Sequence, residues 1–294
     1  MKLIESKAEY IPQEEGLEGI YKQIELAGRT AYHSLDKITP DSAKDFVDRM
    51  IKSKHGAALE HGTVYLKISI PSKAWNRTLV NKYYSNPYSK VDNTFDDLDY
   101  HYFICTNYRV LIENNWLDDL KYLCSPTEFH EKRYTMRFTC SRAIAQELTR
   151  HRVFSFLMES QRYINYSKER HGGEITCIIP SWDYKYNDNQ FDRAEDWNPY
   201  TTALWKAESS YFEMIDDGCT PQQARDVLPN ATKTELIMTG FASDWRHVMD
   251  LRLFGKTGAP HPDMVALMQK AQKAMQEAGI WDDIMKYPSN YNHD

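Results

Sequence analysis

Residues 134–163 constrain this chain more than any other stretch. Tyr134, Met136, Phe138 and Cys140 alternate with Thr135, Arg137 and Thr139, the period-two pattern of a strand with one apolar face. The run that follows, Ser141 to Thr149, has helical composition and neither Gly nor Pro, so the strand feeds directly into a helix. Arg150, His151 and Arg152 are expected at that helix's last turn, where positive charge suits the dipole. Two arginines flanking a histidine repel one another unless an anion or carboxylate lies between them. Phe154, Phe156, Leu157 and Met158 imply a buried segment next, and Ser160, Gln161, Arg162 and Tyr163 then add a hydroxyl and another guanidinium fork. Such forks match phosphate oxygens bidentately. The plainer reading, arginines that only compensate a helix end, accounts for Arg150 and Arg152 but leaves Ser160 and Arg162 unexplained.

Composition makes any anion site local. The formal net charge is −6 and no Lys/Arg block of five or more occurs, which disfavours a general nucleic-acid surface. At 294 residues with 41% hydrophobic content the chain can bury a sizeable core, and one large domain over 1–294 with insertions is expected. Cys105, Cys124, Cys140, Cys177 and Cys219 are scattered, with no zinc or redox spacing, and read as reduced thiols. Met1 to Glu5 lacks the apolar core of a signal peptide, and no run of about 18 apolar residues occurs. The expectation is a cytoplasmic protein with no membrane partner.

Two amphipathic helices open the chain. Leu17, Ile20, Tyr21, Ile24 and Ala27 share one face, and after Thr39-Pro40, read as cap and first helical residue, Phe46, Val47, Met50 and Ile51 share another. His55-Gly56-Ala57-Ala58-Leu59-Glu60-His61 then leads into a half-buried strand, Thr63 to Ile70. His55, Glu60 and His61 lack the i, i+4 histidine pair of a helical zinc site, and no metal is expected. A packed histidine turn and a ligand-binding one both stay open there. Residues 71–132 carry turn signals, a probable helix from Tyr108 to Leu123, and asparagines and tyrosines read as surface structure.

Beyond the basic stretch, Ile175 to Ile179 reads as a strand, Trp182 to Trp197 as a polar loop, and Pro199 to Asp217 as a helix stopped by Gly218. Thr220-Pro221-Gln222-Gln223 is a capping box opening a short helix that Pro229 ends, with Arg225 on it. Thr232 to Gly240 is strand-like, Asp244 to Arg252 helical, and His261-Pro262-Asp263 begins a last helix from Met264 to Ala278. On composition alone, His247 could be a buried structural histidine and Arg252 a partner for Asp250.

Arg150-His151-Arg152, seven residues, then Ser160-Gln161-Arg162-Tyr163 resembles the signature of the flavin-dependent thymidylate synthases. Three further blocks are similar in order and spacing: residues 27–34, the His55 to His61 turn with its strand, and residues 224–266, with Arg225 in Arg-x-x-Leu-Pro and Arg252 in Trp-Arg-His-x-x-x-Leu-Arg. The resemblance implies an α+β single domain, a mixed or antiparallel sheet flanked by helices, with 71–132 as an elaboration between the first core strand and the signature helix. It implies reductive methylation of dUMP to dTMP, with 5,10-methylenetetrahydrofolate as carbon donor and FAD reduced by NADPH. It also implies FAD contacts at His55, Ala57, Arg150, His151, Arg152, Met158, His247 and His261. The dUMP contacts it implies are Glu147, Arg150, Glu159, Ser160, Gln161, Arg162, Arg225 and Arg252, in a homotetramer whose sites are shared between subunits. The chain departs from the resembled pattern at Ala31, Ala57 and Met158, where polar residues are usual.

Thymidylate formation requires a nucleophilic uracil ring. None of the five cysteines has the Pro-Cys-His context of a thiolate that would attack it. The alternative is to stabilise negative charge on the imide with a fixed arginine in a dry pocket, and Arg252 is the catalytic candidate. A competing class is a nucleotide-binding protein without chemistry that has lost flavin. A metal-dependent hydrolase built on the ten histidines fails on spacing, and RNA binding fails on charge and on the lack of an aromatic motif.

Overall fold

The computed structural model describes residues 1–74, 77–162, 164–168, 173–182 and 199–291. The strand expected ahead of the basic stretch is central to it. β2 (Lys7–Ile11), β6 (Arg133–Ser141), β9 (Lys233–Phe241) and β7 (Ser155–Met158) form an antiparallel sheet in the order β2-β6-β9-β7. Met136 pairs with Met238 and Phe138 with Leu236. These apolar positions pack against α6 (Arg142–Leu148), α9 (Ala242–Arg252), α10 (Pro262–Glu277) and α11 (Trp281–Met285). Trp245 of α9 is fully buried there, its indole N–H donating to the Tyr134 carbonyl at 3.0 Å and its ring meeting Phe154 edge-on at 4.8 Å. Each such fully buried side chain contributes about 1.5–3 kcal/mol.

A second core lies on the N-terminal side. α1 (Gly16–Ala31), α2 (Ser42–Lys52) and α3 (Gly56–Leu59) pack on a sheet of β3 (Thr63–Pro71), β5 (Asp99–Asn107) and β4 (Lys90–Phe95) in the order β3-β5-β4. α4 (Thr78–Tyr84) and α5 (Tyr108–Glu113) complete it. A third, smaller core joins α7 (Pro199–Asp216) and α8 (Pro221–Ala224) to the parallel pair β1 (Lys2–Ile4) and β8 (Thr176–Ile178). The α+β class holds, and the strands among the described residues are divided among three sheets. No helix among the described residues is long and apolar enough to cross a membrane.

Several boundaries differ from the expected ones, each for a local reason. α2 begins at Ser42 rather than at Pro40, because Ser42 Oγ accepts the Thr39 N–H and donates to Glu25, folding Thr39-Pro40 into the preceding turn. The helix expected from Tyr108 to Leu123 breaks at Asn114-Asn115, where Asn115 takes φ 58°, a left-handed conformation that Asn tolerates, and continues only as a 3-10 turn, Leu117–Tyr122. The tyrosines of 71–132 divide: Tyr84 and Tyr88 are exposed as expected, but others are not. Tyr83, Tyr102 and Tyr108 are buried in the second core, and the Tyr83 hydroxyl donates to Asp119 at 2.6 Å. The polar loop expected from Trp182 to Trp197 falls, after its first residue, outside the described residues, as does Tyr163.

Candidate functional site

Two strands turn directly into helices, β6 into α6 and β9 into α9, and their far ends meet. Ser141 caps α6, its hydroxyl accepting the Ile144 N–H at 3.3 Å. The helix ends at Leu148, so Arg150, His151 and Arg152 lie just beyond its last turn rather than within it. Arg252, the final residue of α9, reaches across. Its Nε donates to His151 Nε2 at 3.1 Å, Nη1 to Glu147 Oε2 at 3.0 Å and Nη2 to the Glu147 carbonyl at 3.3 Å. Asp250 is not its partner: that carboxylate is fully buried and takes Arg246 at 3.2 Å.

His151 is buried, and burial, then the nearby Arg252 and His247, push its pKa down to about 4. At neutral pH it is therefore an uncharged acceptor that orients the Arg252 fork. His247 lies edge-on to it with ring centroids 6.0 Å apart, and Tyr291 stacks on His247 at 5.5 Å with its hydroxyl 3.3 Å from Nδ1. Arg150 and Arg152 are exposed beside this group. No motif or spacing had pointed to Tyr291.

The second half of the signature follows β7. Met158, the last residue of that strand, is half-buried and packs against the main core. Glu159, the next residue, is paired within the chain. It is 4% exposed, with His33 Nδ1 at 2.7 Å on one oxygen and Lys233 Nζ at 3.1 Å on the other. Burial pushes its carboxyl up, but these two bonds win and hold it below the ordinary value. Its oxygens are thus committed within the chain, and it supports the turn instead of presenting an open ligand. Ser160 N–H donates to the Ala31 carbonyl at 3.2 Å, so the 27–34 block meets the signature through its backbone, whatever side chain stands at 31.

Gln161 is buried, while Arg162 is exposed and donates from Nε to Gln222 Oε1 at 3.3 Å. Gln222 lies on α8, which is capped as expected, the Thr220 N–H donating to Gln223 Oε1 at 2.9 Å, and Arg225 follows at its end. Arg142, at the start of α6, falls in the field of Arg225 and Glu159. It stands in none of the sequence motifs.

Three further expected residues lie on other elements. His55 heads α3 with Nδ1 2.8 Å from the Tyr32 hydroxyl, Ala57 is exposed on the same turn, and His261 caps α10, its Nδ1 accepting the Asp263 N–H at 3.2 Å. His61 is wholly buried against Thr239 at 2.8 Å, and burial, then Arg133, push its pKa to about 3. Its Nε2 has no hydrogen-bond partner among the described residues. Glu60 is held by Arg109 at 2.5 Å, so His55, Glu60 and His61 do not converge.

Residues 113–278, more than half of the chain, match the family model described as thymidylate synthase complementing protein. The flavin-dependent thymidylate synthase of Pyrococcus furiosus is 32% identical over 145 residues, 49% of this chain and 53% of that protein. That of Corynebacterium efficiens is 37% identical over 122 residues, 38% and 46% of the two chains. The chain spans about half the length of the curated relatives it matches. A crystallised UMP/dUMP methylase, PolB of Streptomyces cacaoi, aligns over 97% of this chain and 96% of its own with a TM-score of 0.44 and 15% identity, too loose a likeness to carry an argument.

Proposed function

This chain belongs to the thymidylate synthase complementing protein family, and on that premise we propose that it is a flavin-dependent thymidylate synthase. In this reading dUMP becomes dTMP, with 5,10-methylenetetrahydrofolate as carbon donor and NADPH as reductant. The observation that carries it is the meeting of Arg252 with Glu147 and His151, side chains more than a hundred residues apart in the chain. A guanidinium fixed on two sides, beside a neutral histidine, is preorganised to meet negative charge.

The donor set fits FAD. Arg150 and Arg152 stand exposed, with no carboxylate paired to either among the described residues, as a diphosphate would require. FAD, when reduced, supplies the hydride. Arg150, His151, Arg152 and His247 would hold it, with His55, Ala57 and His261 further candidates. Ser160, Gln161, Arg162 and Arg225 would hold dUMP, and Arg252 would stabilise charge developing on the uracil imide. Glu147 orients Arg252. Glu159 braces the turn from which Ser160 and Gln161 project.

In this proposal the active form is a cytoplasmic homotetramer with sites shared between subunits, and a monomer retaining full turnover would remove that part. The test of the reaction is direct. The purified protein, supplied with FAD, NADPH, dUMP and methylenetetrahydrofolate, should yield dTMP; a flavin-loaded protein that binds dUMP and makes none would reject the catalytic reading.

A further inference from the structure

Tyr291 stands outside every motif of the proposed function, yet the chain is built to carry it to His247. The fully buried Asp250 takes Arg246 at 3.2 Å, and the same guanidinium donates from Nη1 to the Met285 carbonyl at 3.1 Å. The end of α11 is thus tied to α9 at the residue next to His247. Tyr287 then packs against the main core, and the Ser289 hydroxyl accepts the Tyr291 N–H at 3.2 Å, closing a turn. These contacts lay the Tyr291 ring over His247, with centroids 5.5 Å and planes 24° apart and the hydroxyl 3.3 Å from Nδ1. The result is an offset stack joined to a hydrogen bond.

Such contacts decide what an imidazole can do. A hydroxyl that donates to Nδ1 leaves the ring proton of a neutral histidine on Nε2, and the stack holds the plane in which that proton points. No hydrogen bond reaches His247 Nε2 among the described residues. His151, edge-on to it at 6.0 Å, already accepts from Arg252. We propose that Tyr291 is a positioning residue of the cofactor site, fixing the plane and tautomer of His247 so that its Nε2–H is presented to an acceptor on the flavin ring. The proposal rests on the flavin reading and extends the site to a segment that none of the sequence motifs reaches. Arg246 and Asp250 serve the same end, since they hold the segment that carries Tyr291.

The test is a double-mutant cycle on FAD affinity, read by fluorescence as FAD is titrated into flavin-free wild type, Tyr291→Ala, Tyr291→Phe, His247→Ala and the Tyr291→Ala, His247→Ala pair. Tyr291→Ala should weaken FAD about tenfold, and Tyr291→Phe, which keeps the ring and loses the hydroxyl, about threefold. In the His247→Ala background the same Tyr291→Ala change should alter affinity by less than about twofold, because the residue acts through His247. Should Tyr291→Ala not fold, Tyr291→Phe in both backgrounds gives the same cycle. Equal losses in both backgrounds, the mark of a merely structural segment, would overturn the proposal. Unchanged affinity would do the same, as would tighter FAD binding by Tyr291→Ala, the mark of a side chain that blocks the site. The expected coupling in a protein that makes no dTMP would uphold Tyr291 and fail the thymidylate reading. Wild type that binds no FAD would fail the flavin reading and this proposal with it.

Discussion

Replacing Arg252 with alanine separates catalysis from stability. The Arg252 and Glu147 side chains are 22% and 34% exposed, and an ion pair so placed contributes about 1 kcal/mol or less. The bond to the buried His151 adds about 1 kcal/mol. Melting should therefore fall by only a few degrees, since each kcal/mol shifts a chain of this size by about 2–4 °C. Loss of a preorganised electrostatic group typically costs about 100- to 1,000-fold in turnover, or roughly 3–4 kcal/mol of barrier. Arg252→Ala should thus be folded, yellow and nearly inactive. Arg252→Lys should recover little, because a flexible point charge cannot bond His151 and Glu147 together. Flavin content, melting temperature and single-turnover flavin oxidation, measured on one sample, decide the matter. Oxidation by folate and dUMP at the wild-type rate would refute the reasoning, and so would an activity loss no larger than the unfolded fraction.

Other expectations test neighbouring parts of the account. Arg162→Ala should weaken dUMP binding about tenfold or more while flavin stays bound, as titration would show; unchanged nucleotide affinity would remove Arg162 from the site. His61 has a folded pKa of about 3, below its ordinary value, so the unfolded chain takes up the proton first. Its contribution is present above about pH 6.5 and is lost as pH falls toward 3, at about 1.4 kcal/mol per pH unit. Denaturant midpoints of His61→Gln should accordingly show a flatter acid limb than wild type; parallel slopes would contradict the burial argument. Gly240 lies against Phe154, whose ring atoms would sit 2.3 Å from an added Cβ and which is backed by Trp245. Gly240→Ala should destabilise by about 1–3 kcal/mol in urea, and Phe154→Leu in the same chain should restore part of it.

Much of the framework is legible because it is periodic. The alternation in 134–140 foretells the strand that becomes β6, and its lack of a turn before Arg142 foretells the direct passage into α6. What escapes is set by contacts distant in sequence or by geometry that letters do not display. Pairing Asp250 with Arg252 ignores that residues two apart point to different sides of a helix; the i, i+4 neighbour Arg246 takes the carboxylate instead. Glu159 looks like a ligand in the signature because its partner His33 lies 126 residues away. Tyr83, Tyr102 and Tyr108 resemble surface residues until β5 is seen between β3 and β4. Arg142 and Tyr291 stand in no motif, and only their neighbours in space reveal them.

The central claim is that this chain makes the uracil ring reactive without a cysteine, using the Arg252 group. Release of tritium from dUMP labelled at C5 follows that chemistry at the reacting carbon. With the flavin-loaded protein, NADPH and methylenetetrahydrofolate, tritium should leave in step with dTMP formation, and Arg252→Ala should reduce the rate about 100- to 1,000-fold. Background release from a protein that holds both flavin and dUMP, or undiminished release from Arg252→Ala, would contradict the account.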